Sequence, residues 1–278
     1  MVDKTQPPVV QPRLASAIML LRDVPSGQGI EVFMVRRVIQ SDFMPDVYVF
    51  PGGSVSVDDR AAEQAEDICV PVAPAIADPE GRTVLGSGAR AAAIRELFEE
   101  AGVLLAYQSE AILAIPETDV ARFDTYRQAF NQRKGSLVEM ARVENLRLAT
   151  DRLGYFAHWI TPEGMPKRFD THFFITTAPA KQQAAHDQLE TSEGDWISPQ
   201  EALERSERND FPLVFATIHQ LRELAAFKSV KEALETTTLQ HVPTRIPLLV
   251  EEDGVMRVYL PEDAVNRWDV PEHMTKKR

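Results

Sequence analysis

Arg95-Glu96-Leu97-Phe98-Glu99-Glu100-Ala101-Gly102-Val103 closes a run in which Ile94, Leu97, Phe98 and Ala101 recur at i, i+3, i+4 and i+7. That spacing predicts a helix with one buried stripe, and Gly102 is placed as its C-terminal stop. Glu96, Glu99 and Glu100 fall at i, i+3 and i+4, so three carboxylates share one face. Alone, the arrangement is unfavourable. Like charges at this spacing repel, and each carboxylate in a last turn meets the negative end of the helix dipole at a cost of roughly 0.3–1 kcal/mol. A hard divalent cation reverses that cost, because oxygen ligands clustered on a rigid helix suit magnesium or manganese. Arg95, one turn before Glu99, is positioned to pin it by a charge-assisted hydrogen bond. A bare Glu-x-x-Glu-Glu is more often a solvated helix face. Here an apolar opposite face and an upstream strand ending in Pro51-Gly52-Gly53 tip the reading towards a site.

Upstream, RLASAIMLLRDV (13–24) and IEVFMVR (30–36) are apolar, β-rich runs joined through PSGQG, a predicted hairpin. VYVFPGGSV (47–55) is a third strand, stopped by Pro51 and a glycine pair whose freedom at positive φ suits a sharp exit from a sheet. Residues 58–88 are acidic, rich in Ala and Pro, and read as an inserted loop. Downstream, 117–148 has helical spacing for one or two helices, while 154–162, 170–179 and the short 194–198 read as strands. Ser198, Pro199 and Glu201 spell a capping box opening the next helix, and LVFATIHQLRELAAF a further one. TRIPLLV and VMRVYL flank EEDG, a hairpin on an Asp-Gly turn. Without repeats or strict strand–helix alternation, the sum is an α/β (α+β) fold, a mixed sheet with helices on its faces.

The chain divides into an N-terminal arm (1–12), a main domain (13–235) with insertions at about 58–88 and 115–150, and a C-terminal hairpin and tail (236–278). Its 278 residues are 44% hydrophobic and 26% charged, a globular balance without a membrane-length apolar run or a secretory signal. One cysteine, Cys69, can form neither an internal disulfide nor a thiolate cluster, which favours a reducing compartment such as the cytoplasm. A net charge of -12 speaks against nucleic acid as partner. It leaves room for an anionic metabolite bridged by a divalent cation, and for a homodimer. His158, His172, His186, His219, His241 and His273 lack metal spacing and read as structural, and Trp159, Trp196, Phe173 and Phe174 as core.

The residues from Arg95 to Val103 resemble the second half of the Nudix hydrolase box, Arg-Glu-apolar-x-Glu-Glu-x-Gly-apolar. For the first half, Gly81 falls at the box glycine but Ser87 stands where its Glu belongs. The alternative, preferred because Pro51-Gly52-Gly53 follows a strand, takes Gly53 and Asp59, with the box split by about 28 residues. FMPDVYVFPGG, AAIRELFEEAGVLL, HWITPEGMPKRFDTHFF and GDWISPQEAL look like the branch containing the peroxisomal acyl-coenzyme A diphosphatases, over roughly 13–235. Peroxisomal location is not carried over, because the terminal MTKKR is not a Ser-Lys-Leu type of address.

The resemblance implies a Nudix α/β/α sandwich and hydrolysis of the diphosphate bridge in a nucleoside diphosphate derivative, with Glu96, Glu99 and Glu100 holding Mg²⁺ or Mn²⁺. Coenzyme A or its acyl esters lead as substrate. The rivals are an ADP-ribose or nucleoside-diphosphate-sugar diphosphatase and a non-catalytic nucleotide sensor. The family draws its general base from the box helix (Glu99, Glu100, supported by Arg95) or from a downstream loop, where Glu193 is the candidate and Glu190 the second. Arg168 is a candidate phosphate clamp, with an Arg168–Asp170 pair as the structural alternative. Arg36 and Arg37 could serve the same end, and Gly52 and Gly53 are expected at the substrate.

Overall fold

The computed structural model describes residues 10–25, 27–39, 44–72, 85, 87–187, 191–239 and 241–272. Strand β1 (Arg13–Asp23) pairs antiparallel with β2 (Ile30–Arg37), as the hairpin pattern predicts. The Val47–Val55 run splits at Pro51 into β3 (Tyr48–Val49), on β2, and β4 (Gly52–Ser54), on β1. The 58–88 loop expectation needs correction. Residues Val57–Gln64 form helix α1, opened by a Ser56–Asp59 capping box; 73–84 and 86 lie outside the described residues. Helix α2 (Ala89–Ala101) carries the three glutamates and ends at Gly102, whose φ of 69° is the left-handed conformation that favours glycine.

After α2, β5 (Ala106–Gln108) and β6 (Ala111–Ile112) lead into α3 (Glu117–Asn131) and α4 (Leu137–Val143). Strand β7 (Leu146–Leu148) then returns to β5 to make a small three-stranded sheet. Strands this short carry too little alternation to read from sequence. The main sheet resumes with β8 (Gly154–Ile160), β9 (Phe169–Thr177) and β10 (Thr191–Ile197). Helices α5 (Pro199–Glu207), α6 (Phe215–Leu224) and α7 (Val230–Leu239) follow, the last not predicted. The chain closes with β11 (Thr244–Arg245), β12 (Leu248–Glu252), β13 (Val255–Leu260) and β14 (Asp263–Asp269). At the β12–β13 turn Asp253 and Gly254 both take positive φ, 54° and 79°, the signature of a tight hairpin.

The main sheet runs β10-β2-β1-β9-β8-β11, with β1 and β9 parallel and β1 and β2 antiparallel, so it is mixed. Both faces are covered, which is why β1 reads as one continuous apolar run. Ile18, Leu20, Phe33 and Val35 pack with Ile94, Leu97 and Phe98 of α2 on one face. Met19, Leu21, Val32 and Met34 pack with Ala202, Leu221 and Ala233 of α5–α7 on the other. A third cluster joins Trp159, Met165 and Phe215 to Val258, Leu260 and Val270, seating the β12–β14 sheet against β8 and α6. No helix among the described residues is long and apolar enough to cross a membrane.

Candidate active site

The split of the box is closed by one arginine. Arg95 donates from Nε to Asp59 Oδ1 at 2.8 Å and from Nη2 to Asp59 Oδ2 at 3.0 Å, a bidentate pair with a fully buried carboxylate. Its Nη1 donates to Glu96 Oε1 and Glu99 Oε1, each at 2.8 Å. Burial alone would lower the guanidinium's pKa; Glu96, Asp59 and Glu99 more than reverse this and raise it. Burial pushes Glu96 up, to about 7, against the pull of Arg95 and with the help of Glu99 and Asp59. The cation at the end of α2 comes from α3: Arg127 donates to the carbonyls of Glu99 (2.8 Å) and Glu100 (3.1 Å).

Gly52 and Gly53 serve differently from the expected positive φ, which neither adopts. They are needed for closeness. A Cβ on Gly52 would lie 2.6 Å from the Ser16 carbonyl, and one on Gly53 would overlap the Glu96 carboxylate, with its Cδ at 2.7 Å. The approach lets the Gly52 N–H donate to Glu100 Oε2 at 3.1 Å.

Glu96 and Glu99, with Arg95, Gly52 and Gly53, line a cavity of about 870 Å³. Two carboxylate oxygens within hydrogen-bond distance of one nitrogen already converge on a positive charge. The donor set is all oxygen, so these residues fit a hard divalent cation. Arg37 also lines the cavity.

One expected group lies elsewhere, and another is already engaged with backbone. Glu193 sits on β10 opposite Arg36, accepting from Arg36 Nη1 at 3.0 Å and from the Tyr48 hydroxyl. Tyr48 stacks on Phe211 in the cluster of the α5–α7 face. Glu193 is therefore on the opposite face of the sheet from α2, because strand alternation sends Arg36 and Val35 to opposite sides. Glu190 lies outside the described residues, as does Gly81. Arg168 does line the cavity, but its Nε and Nη1 donate to the carbonyls of Thr161 and Val10, both at 2.9 Å, tying the β8–β9 connection to the segment before β1. The structural alternative, an Arg168–Asp170 pair, is not among these bonds.

Asp170 instead meets two histidines, His172 at i+2 on its own strand and His158 from β8, which spacing along the chain could not bring in. His158 Nε2 lies 2.5 Å from Asp170 Oδ1, and His172 Nε2 lies 3.8 Å from it. Thr244 and Tyr155 hydrogen-bond the respective Nδ1 atoms, each at 2.8 Å. The imidazoles stack 4.4 Å apart at 6°. An ion shared by both would have to lie in both ring planes, which parallel planes forbid. The trio is therefore a hydrogen-bonded network. Trp159 is buried in the core, as expected, and together with the partly buried Phe173 it also lines the cavity.

A family model described as the NUDT19 Nudix domain matches residues 81–224, more than half of the chain. The chain is 25% identical over 268 residues to the acyl-coenzyme A diphosphatase NUDT19 of Xenopus laevis, covering 84% of this chain and 70% of that protein. The protein of the same name from Gallus gallus is 26% identical over 317 residues, covering 96% and 82%. The crystal structure of a NUDIX hydrolase from Alicyclobacillus acidocaldarius superposes with a TM-score of 0.66 at 23% identity over 81% of this chain and 96% of that one.

Proposed function

The chain belongs to the NUDT19-type Nudix hydrolases, and on that premise we propose that it cleaves the diphosphate bridge of coenzyme A or an acyl-coenzyme A with magnesium or manganese. The observation that carries the reading is the convergence of Glu96 and Glu99 on Arg95 Nη1 in residues that line the cavity. The names of the relatives support the substrate class.

Glu96, Glu99 and Glu100 would hold the cation. When bound, it neutralises the diphosphate and makes a water more acidic. Asp59 fixes Arg95, and Arg95 keeps Glu96 and Glu99 turned towards the cavity. Glu99, partly exposed on the cavity wall, is assigned the proton of the attacking water, since Glu193 faces away. Arg37 is assigned to the diphosphate oxygens. Water adds across the bridge and leaves an adenosine bisphosphate and a phosphopantetheine.

The test is turnover of purified protein against coenzyme A, acyl-coenzyme A, ADP-ribose, NADH and dinucleoside polyphosphates, with Mg²⁺ or Mn²⁺ and with EDTA. Coenzyme A species should be the best substrates, and EDTA should stop the reaction. Preference for ADP-ribose or a nucleotide sugar, or binding without turnover, overturns the reading.

A further inference from the structure

The cavity that begins at Glu96 and Glu99 extends to a wall that no phosphate chemistry needs. Its far side is built from Trp159, Met165 and Phe215 of the main domain and from Val258, Trp268 and Val270 of the C-terminal segment. Val258 lies on β13 and Trp268 on β14, opposite each other in register. None of the three C-terminal residues lies in the segment 81–224 matched by the family model. At about 870 Å³ the cavity is large for a small-molecule site, more than a diphosphate and its cation require.

We propose that the β12–β14 sheet is the end wall of an acyl-chain subsite and sets which chain lengths the enzyme accepts; this rests on the coenzyme A reading above. Charge decides which half of the substrate faces this wall. The nucleotide half carries phosphate charge and belongs with Arg13, Arg37, Arg133 and Lys167, which line the same cavity. The acyl tail carries none, and burying it against Val258, Trp268 and Phe215 is favourable in proportion to the apolar area covered. Trp159 adds a polar clue. Its buried indole Nε1–H meets no acceptor among the described residues, and the thioester carbonyl at the head of the tail would satisfy it.

The experiment measures kcat/KM for free, acetyl-, octanoyl- and palmitoyl-coenzyme A, below micelle concentrations, in the wild type, Trp268→Ala and Val258→Phe, with melting curves for each. Opening the wall with Trp268→Ala should raise the palmitoyl-to-acetyl ratio by about fivefold or more. Filling it with Val258→Phe should lower the ratio by about as much. Trp268→Phe replaces Trp268→Ala if the latter does not fold. Ratios that stay within about twofold in folded variants overturn the proposal, even while all coenzyme A species are hydrolysed. That includes a uniform rise in KM, which would place adenine at this wall. A wild type that cleaves ADP-ribose and no coenzyme A species defeats the underlying reading instead, and the subsite with it.

Discussion

Arg95 and its three carboxylates carry most of what can be tested at single residues. Glu99→Gln removes one anion with little change in volume, and should lower kcat by about 10²–10⁴-fold if Glu99 takes the water's proton, while the melting temperature barely moves. Asp59→Asn removes the buried bidentate partner of Arg95 and leaves it paired with Glu96 and Glu99 only. It should destabilise the protein by roughly 1–3 kcal/mol in urea titrations. Gly53→Ala pushes a methyl into the Glu96 carboxylate. It should cost about 10–100-fold in kcat/KM, since displacement of a reacting group by an ångström is enough, with stability nearly unchanged. Burial pushes the His172 imidazole down, to about 4, and His158 adds to this against Asp170. Its ordinary value is about 6.5, so between there and 4 the unfolded chain binds more protons. The stability contribution is full above about pH 6.5 and falls as pH drops towards 4. The gap in urea midpoint between wild type and His172→Gln should change across that window and be flat above it. The glutamates and Arg95 were legible one by one in the sequence. Asp59 was legible as a position in a split box, but its bidentate bond came from the fold.

Among the elements, α2 is the one whose ends matter. Its first turn lacks a side-chain cap of its own; Glu63 of α1 accepts from the N–H groups of Arg90 and Ala91 at 2.9 and 3.1 Å. Its last turn is closed by Gly102 and by Arg127 of α3. A helix ending in two glutamates thus borrows from α3 the cation that its own last turn omits, and Arg127 offsets part of the crowding there without a metal ion. Arg127→Met leaves the carbonyls of Glu99, Glu100 and Ala185 short of a donor. A loss of about 1–3 kcal/mol is expected in urea unfolding, larger than for a surface arginine such as Arg142, which is more than half exposed. The capping box at Ser56 was present in the sequence as Ser-Val-Asp-Asp, yet alanine and proline further along made the whole stretch read as loop.

For the molecule as a whole, a cation that binds only the folded carboxylate cluster must raise stability by mass action. At a hundred times its dissociation constant the gain is about 2.7 kcal/mol. A melting temperature that rises with Mg²⁺ or Mn²⁺, and no longer does so in Glu99→Gln, is the expected result; an unchanged melting temperature in the wild type would count against the metal site. The sequence by itself determined the helix, its three carboxylates, its stop at Gly102, the mixed sheet and the family. All of these depend on local periodicity or on short motifs that survive without knowledge of what they touch. Tertiary structure alone decided that Glu193 faces away, that Arg168 holds backbone, that Asp59 and Arg127 reach α2, and that the C-terminal sheet completes the cavity. Those outcomes depend on which face of a strand meets which helix, and on partners far apart along the chain, as with Arg95 and Asp59 or Trp159 and Trp268. Spacing along a chain fixes a residue's direction within its own element, whereas its neighbours across space are set only when the layers pack.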